Sequence, residues 1–78
     1  MKKLEVGDYV INLTEKQFSK IMALQPKQFC KYGYSIGQTD RLIYEGFYID
    51  FLAGAHGVEL NNELTYRQFL LRAKNTFL

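Results

Sequence analysis

The segment Leu-Thr-x-x-Gln-Phe occurs twice, as Leu13-Thr14-Glu15-Lys16-Gln17-Phe18 and as Leu64-Thr65-Tyr66-Arg67-Gln68-Phe69. No other feature restricts the fold as strongly. A Thr with a Gln three residues on is a capping box. The Leu before the Thr and the Phe after the Gln form a hydrophobic staple. Each copy therefore fixes a helix start, and with it the buried face of the helix that follows. The surroundings of the two copies differ, so they are two uses of one local device rather than a duplicated domain.

From Thr14, the residues Phe18, Ile21, Met22 and Gln25 recur at helical spacing, while Lys16, Ser19 and Lys20 lie elsewhere. This predicts a first helix at about 15–25, ended or kinked by Pro26, which cannot donate to the preceding turn. From Thr65, the residues Tyr66, Phe69, Leu70, Ala73 and Phe77 share one face, which predicts a second helix at about 66–76. Leu71 and Leu78 fall on a different stripe, beside Arg67 and Lys74. A further short helical piece is expected at 26–33, with Pro26 at its start and Gly33 past its end.

The rest reads as β-structure. In 4–13, Tyr9, Ile11 and Leu13 alternate with Val10 and Asn12, and Gly7-Asp8 marks a bend or bulge that splits the segment into two short strands. Short strands are also expected at 34–36 and 58–60, the latter at a sheet edge, with a loop at 53–57 and a turn at Asn61-Asn62. The strongest β signal is 41–52, which reads as a hairpin turning at Glu45-Gly46. That turn pairs Tyr44 with Phe47, Ile43 with Tyr48, Leu42 with Ile49 and Arg41 with Asp50. Directly paired residues share a face. One face then carries Leu42, Tyr44, Phe47, Ile49 and Phe51, and the other Arg41, Ile43, Tyr48 and Asp50. The expected fold is α+β: one domain over 1–78, a small antiparallel sheet around the hairpin, and two helices on one face.

Composition limits the function classes. With 47% hydrophobic residues the 78-residue chain is globular, and its single core leaves a thin stability margin. Net charge is +2, from ten basic and eight acidic residues scattered along the chain, so no cationic block marks a phosphate-binding surface. One cysteine excludes an internal disulfide and a zinc cluster, and points to a reducing compartment, taken as the cytoplasm. No secretory leader is expected, because Met1-Lys2-Lys3 is followed by Leu4-Glu5-Val6-Gly7-Asp8 rather than an apolar run. No segment reaches the roughly 18 apolar residues of a membrane span.

Chemistry-bearing residues are few. His56 is the sole histidine and could act as a general base oriented by Asp40 or Asp50, but it sits among glycines, as a solvated loop residue would. Cys30 with His56 and Asn61 or Asn62 has the residue types of a cysteine hydrolase but no local signature, and the favoured reading is an unreactive buried thiol, where a free cysteine usually sits. Neither an enzyme activity nor a metal or other cofactor is expected. Tyr32, Tyr34, Tyr44, Tyr48 and Tyr66 admit three readings. The favoured one is that they fill a small core with hydroxyls at its edge; next comes a protein-binding face, since tyrosines with a few charges are typical interface anchors; last, with Lys31 and Arg41, some of them stack a nucleobase of a nucleotide or single strand. In that alternative Lys31, Tyr32, Tyr34 and Arg41 hold the ligand.

The leading expectation is a binding protein. Ile43 and Tyr48 cannot join the core if Leu42, Tyr44, Phe47 and Ile49 form it. Their face is either covered by another element or meets a partner. Arg41, Ile43, Tyr48 and Asp50 are the candidate partner contacts, and Leu71 and Leu78 a candidate homodimer patch.

In overall style the chain resembles the small accessory proteins encoded by bacteriophages and prophages. The resemblance rests on the Val6-Gly7-Asp8-Tyr9-Val10 opening, the Tyr/Phe-rich hairpin, and the ending Glu63-Leu64-Thr65-Tyr66-Arg67-Gln68-Phe69-Leu70. It implies a stoichiometric inhibitor of a host or defence protein, of the anti-CRISPR or other anti-defence kind, acting in the host cytoplasm.

Overall fold

The computed structural model describes residues 2–25, 40–51 and 59–78, with Phe51 described by its backbone alone. The elements are β1 (Asp8–Val10), α1 (Glu15–Met22), β2 (Leu42–Tyr44), β3 (Ile49–Phe51), β4 (Asn62–Glu63) and α2 (Tyr66–Phe77). The α+β plan is as expected. The expected elements at 26–33 and 34–36, the loop at 53–57, and residues 52 and 58 lie outside the described residues.

Both helix starts use the repeated motif in the same way. Thr14 and Thr65 have nearly identical backbones, φ/ψ −77/164 and −72/163 degrees, and both carry a complete capping box. The Gln17 amide donates to Thr14 Oγ1 at 3.1 Å, and the Thr14 amide donates to Gln17 Oε1 at 3.0 Å. The second copy repeats this at 3.2 and 2.9 Å. Leu13, Phe18, Leu64 and Phe69 all enter one core with Val10, Ile21, Met22, Leu42, Tyr44, Ile49 and Ala73. Both helices thus pack on the same sheet face. A fully buried side chain such as Phe69 stabilises the fold by about 1.5–3 kcal/mol.

Helix α1 ends at Met22, short of Pro26. The Gln25 side chain instead donates to the Ile49 carbonyl at 3.2 Å and accepts from the Ile49 amide at 2.8 Å. It stands in for a neighbouring strand at Ile49, on the side of β3 away from β2. The residue before a proline avoids helical backbone, so Gln25 is disfavoured as a helical residue.

The sheet order is β3-β2-β1-β4. β2 pairs antiparallel with β1 and β3, but β4 joins β1 in parallel, so the sheet is mixed rather than wholly antiparallel. Glu59 and Leu60, expected in the edge strand, are not in β-structure; the strand is Asn62–Glu63, which overlaps the expected turn Asn61-Asn62 at Asn62. Side-chain amides hold it: Asn62 donates to Asp8 Oδ1 at 3.1 Å, and Asn61 to the Val6 carbonyl at 3.1 Å. An apolar alternation could not reveal such a strand.

The hairpin pairs Tyr44 with Ile49, Ile43 with Asp50 and Leu42 with Phe51. The two-residue turn is therefore Gly46-Phe47, one position later than expected. The Glu45 amide donates to the Tyr48 carbonyl at 3.0 Å, and Gly46 supplies the positive φ, +108 degrees. Moving the turn by one residue moves each partner by two. Leu42, Tyr44 and Ile49 keep the core face, but Phe47 leaves it for the tip, and the Arg41–Asp50 pairing is lost. Two residues beyond β1, Asn12 at φ 59 degrees breaks the strand alternation. Leu13 is thereby turned to the core side with Val10, and Ile11 stays exposed.

Candidate functional site

The expected contact face does not stay together. Ile43 is 2% exposed, so this part of the second sheet face is covered and offers no side chain to a partner. Arg41 is exposed but bonds Asp40, Nε to Oδ1 at 3.1 Å, at the hairpin end remote from the turn. That hydrogen bond from the guanidinium holds the Asp40 carboxyl below the usual carboxylate range. Asp50 and Tyr48 are half-buried, and only Tyr48 flanks the turn. Among the tyrosines, Tyr44 is buried in the core and Tyr66 packs against it. The Tyr44 hydroxyl donates to the Gly46 carbonyl at 2.7 Å, its ring meets Phe77 edge-on at 6.2 Å, and burial raises its pKa. Lys31, Tyr32, Tyr34, Cys30 and His56 lie outside the described residues.

A different apolar surface forms at the turn end of the sheet. Three segments converge there: the turn 5–8 entering β1, the hairpin turn 45–48, and 59–61 leading into β4. Val6, Phe47 and Leu60 are 51, 79 and 51% exposed, far more than core side chains of their size. Their convergence follows from short contacts. The Gly7 amide donates to the Tyr44 carbonyl at 3.0 Å, and the Asn61 amide to the Gly7 carbonyl at 3.0 Å. A Cβ placed on Gly46 would lie 3.2 Å from Val6 Cγ2. One placed on Gly7, at φ +94 degrees, would lie 2.6 Å from the Glu59 carbonyl oxygen. Glycine at position 7 is what lets the third segment approach β1 this closely.

The same tip is acidic. A glutamate precedes each exposed apolar residue: Glu5 before Val6, Glu45 two before Phe47, Glu59 before Leu60. Glu5 and Glu59 are exposed and Glu45 is half-buried. The segments 4–8, 45–48 and 59–63 contain no Lys or Arg.

Beneath the tip lies a polar hub. Asp8 is 0% exposed. Its Oδ2 accepts the Glu5 amide at 2.9 Å and Arg72 of α2 at 3.2 Å, and its Oδ1 accepts Asn62. One carboxylate thereby ties the first turn, β4 and α2 together, and the Arg72 guanidinium balances its charge. In sequence, Gly7-Asp8 signals only a bend or bulge. An acidic residue within an apolar strand was the one available signal, and Arg72 lies 64 positions away. The hub holds the first and third tip segments, and the hairpin turn is held separately by the Glu45 amide on the Tyr48 carbonyl and the Tyr44 hydroxyl on the Gly46 carbonyl, so the tip is ordered before any partner arrives, which lowers the cost of binding.

Leu71 and Leu78 are 57 and 84% exposed on the side of α2 away from the core. They form a ridge with Arg67 and Lys74. The N-terminal segment runs beside it, with Asn75 Nδ2 donating to the Lys2 carbonyl at 2.9 Å and the Leu4 amide donating to Thr76 Oγ1 at 2.8 Å.

Among the described residues no group of three or more His, Cys, Asp or Glu could hold a metal ion. No helix among them is long and apolar enough to cross a membrane. No protein family, characterised protein or solved structure matches this chain.

Proposed function

We propose that this chain is a non-enzymatic binding protein that docks its acidic, apolar tip onto a partner protein with a basic and partly apolar surface. The observation that carries the reading is Phe47: an aromatic side chain 79% exposed on a two-residue turn whose flanks are hydrogen-bonded. A large aromatic on rigid backbone is the usual anchor of a protein interface, with exposed Val6 and Leu60 beside it. Burying one such side chain in a partner contributes about 1.5–3 kcal/mol. Glu5 and Glu59 favour a cationic partner and disfavour nucleic acid at this surface. The commitment of Tyr44 and Tyr66 to the core also lowers support for nucleobase stacking.

The contact surface is thus moved from the strand face to the turn end of the sheet, with Tyr48 retained as a flanking residue. The resemblance to phage accessory proteins fits this mode, in which a small inhibitor occupies a working surface of a host or defence protein.

The test is capture from a lysate of the cell that hosts the gene, with wild-type protein and the Phe47→Ala variant immobilised in parallel. The expected result is a protein retained by the wild type and depleted about tenfold or more by the variant, the scale of an interface hot spot. Equal retention by both, with the variant's circular dichroism unchanged, contradicts the proposal.

A further inference from the structure

We infer that the α2 ridge is the docking surface for the tip of a second copy of this chain, so that copies associate head to tail. Arg67, Leu71, Lys74 and Leu78 are spaced four, three and four apart, which aligns them within about 60 degrees on the helix surface. The ridge points away from the sheet, since Phe69 and Ala73 on the opposite side of α2 are both 0% exposed. α2 holds Arg67, Arg72 and Lys74 and no acidic residue. Arg72 is engaged by Asp8. Arg67 and Lys74 make no ion pair among the described residues.

Arg67 is also locally unfavourable. It sits in the first turn of α2, where the helix dipole disfavours a cation by about 0.3–1 kcal/mol. α1, by contrast, places Glu15 in its first turn. Nothing among the described residues offsets the position of Arg67, whereas an acidic surface docked on the ridge would.

Charge decides between a symmetric and a head-to-tail arrangement. Ridge on ridge brings Arg67 and Lys74 of both copies into one contact to which α2 contributes no acidic residue. Tip on ridge sets Glu5 and Glu59 against them, and Phe47, Val6 and Leu60 against Leu71 and Leu78. Both surfaces are amphipathic, opposite in sign and carried by the same molecule. The contact is heterologous, so it leaves a free tip and a free ridge and adds further copies rather than closing as a pair. A patch this small belongs with weak, transient interfaces.

This inference rests on reading the tip as a docking surface, and it adds that a bound partner and a second copy compete for it. The test is sedimentation equilibrium of the purified chain from micromolar to millimolar concentration, at low and high salt. The wild-type average mass should rise with concentration, and less so at high salt. Phe47→Arg, lacking the tip, and Leu71→Glu, lacking the ridge, should each remain at monomer mass. Their equimolar mixture should recover association and level off at twice the monomer mass, because each variant supplies the surface the other lacks. Circular dichroism confirms that both fold, and Leu60→Arg with Lys74→Glu forms a second such pair. A concentration-independent monomer mass for the wild type overturns the inference. So does persistent association of Phe47→Arg alone, which indicates a ridge-to-ridge dimer, and so does a mixture that fails to recover. Lysate capture reads the partner separately: Phe47-dependent capture by a chain that never self-associates would retain the tip reading and remove this one.

Discussion

Replacing Asp8 with Ala should be among the most damaging single changes to this fold. The carboxylate is 0% exposed and accepts three hydrogen bonds, from the Glu5 amide, Asn62 Nδ2 and Arg72. Asn62 is exposed and can turn to water, so its loss costs about 0.5 kcal/mol, the low end for a hydrogen bond. The part-buried Glu5 amide costs about 1 kcal/mol when left without its acceptor. Removing one partner of a buried ion pair costs about 3–5 kcal/mol, because the other charge is stranded. Arg72 is 17% exposed and can partly reach solvent, which holds its share to about 2 kcal/mol, below that range. The total is about 3–4 kcal/mol, set against about 4–12 kcal/mol for the whole stability of a domain this size. Urea unfolding followed by far-UV circular dichroism measures it. Adding Arg72→Met removes the stranded cation, so the double variant should be at least 1 kcal/mol more stable than the sum of the single losses implies. A loss below about 1 kcal/mol, or simple additivity, would refute the assignment of Asp8 as the hub.

Gln25→Ala should cost about 2–3 kcal/mol by leaving the Ile49 amide and carbonyl unpaired, and should raise aggregation by opening the β3 edge; light scattering beside the unfolding curve checks both. Tyr44 gives a pH signature. Burial raises its folded pKa above the unfolded value of about 10, so its contribution is complete below that pH and is lost as pH rises through the folded value. The alkaline fall in the unfolding midpoint should be steeper for wild type than for Tyr44→Phe, while the variant loses about 1 kcal/mol at neutral pH with its bond to Gly46.

What the sequence made legible was local. The capping box is a rule over four consecutive residues, and the observed Thr14 and Thr65 geometries match it atom for atom. The face of α2 followed from one period, and Phe69, Ala73, Tyr66, Leu70 and Phe77 lie where that period placed them. The hairpin was legible to within one residue. Gly46 satisfies a turn as either its first or its second residue, and only the pairing of Tyr44 with Ile49 distinguishes them. Since side-chain alternation has period two, face assignments survived the slip; Phe47, at the turn itself, left the core face, and Ile43 kept its face but is covered there. What stayed hidden was non-local or polar. Gln25 meets Ile49 across 24 positions, Asp8 meets Arg72 across 64, and β4 is held by asparagine amides rather than an apolar pattern. The tip combines both kinds. Its Glu-apolar steps are plain in the sequence, but only the parallel pairing of β4 with β1 brings the third beside the first.

The central claim is that the tip, not the hairpin face or the helices, meets the partner. Amide hydrogen exchange on the complex with the Phe47-dependent partner tests it most directly. The account predicts slowed exchange at the amides of Val6, Phe47 and Leu60, with the amide of Arg41 unchanged. Slowing at Arg41, with the tip amides unaffected, would contradict it.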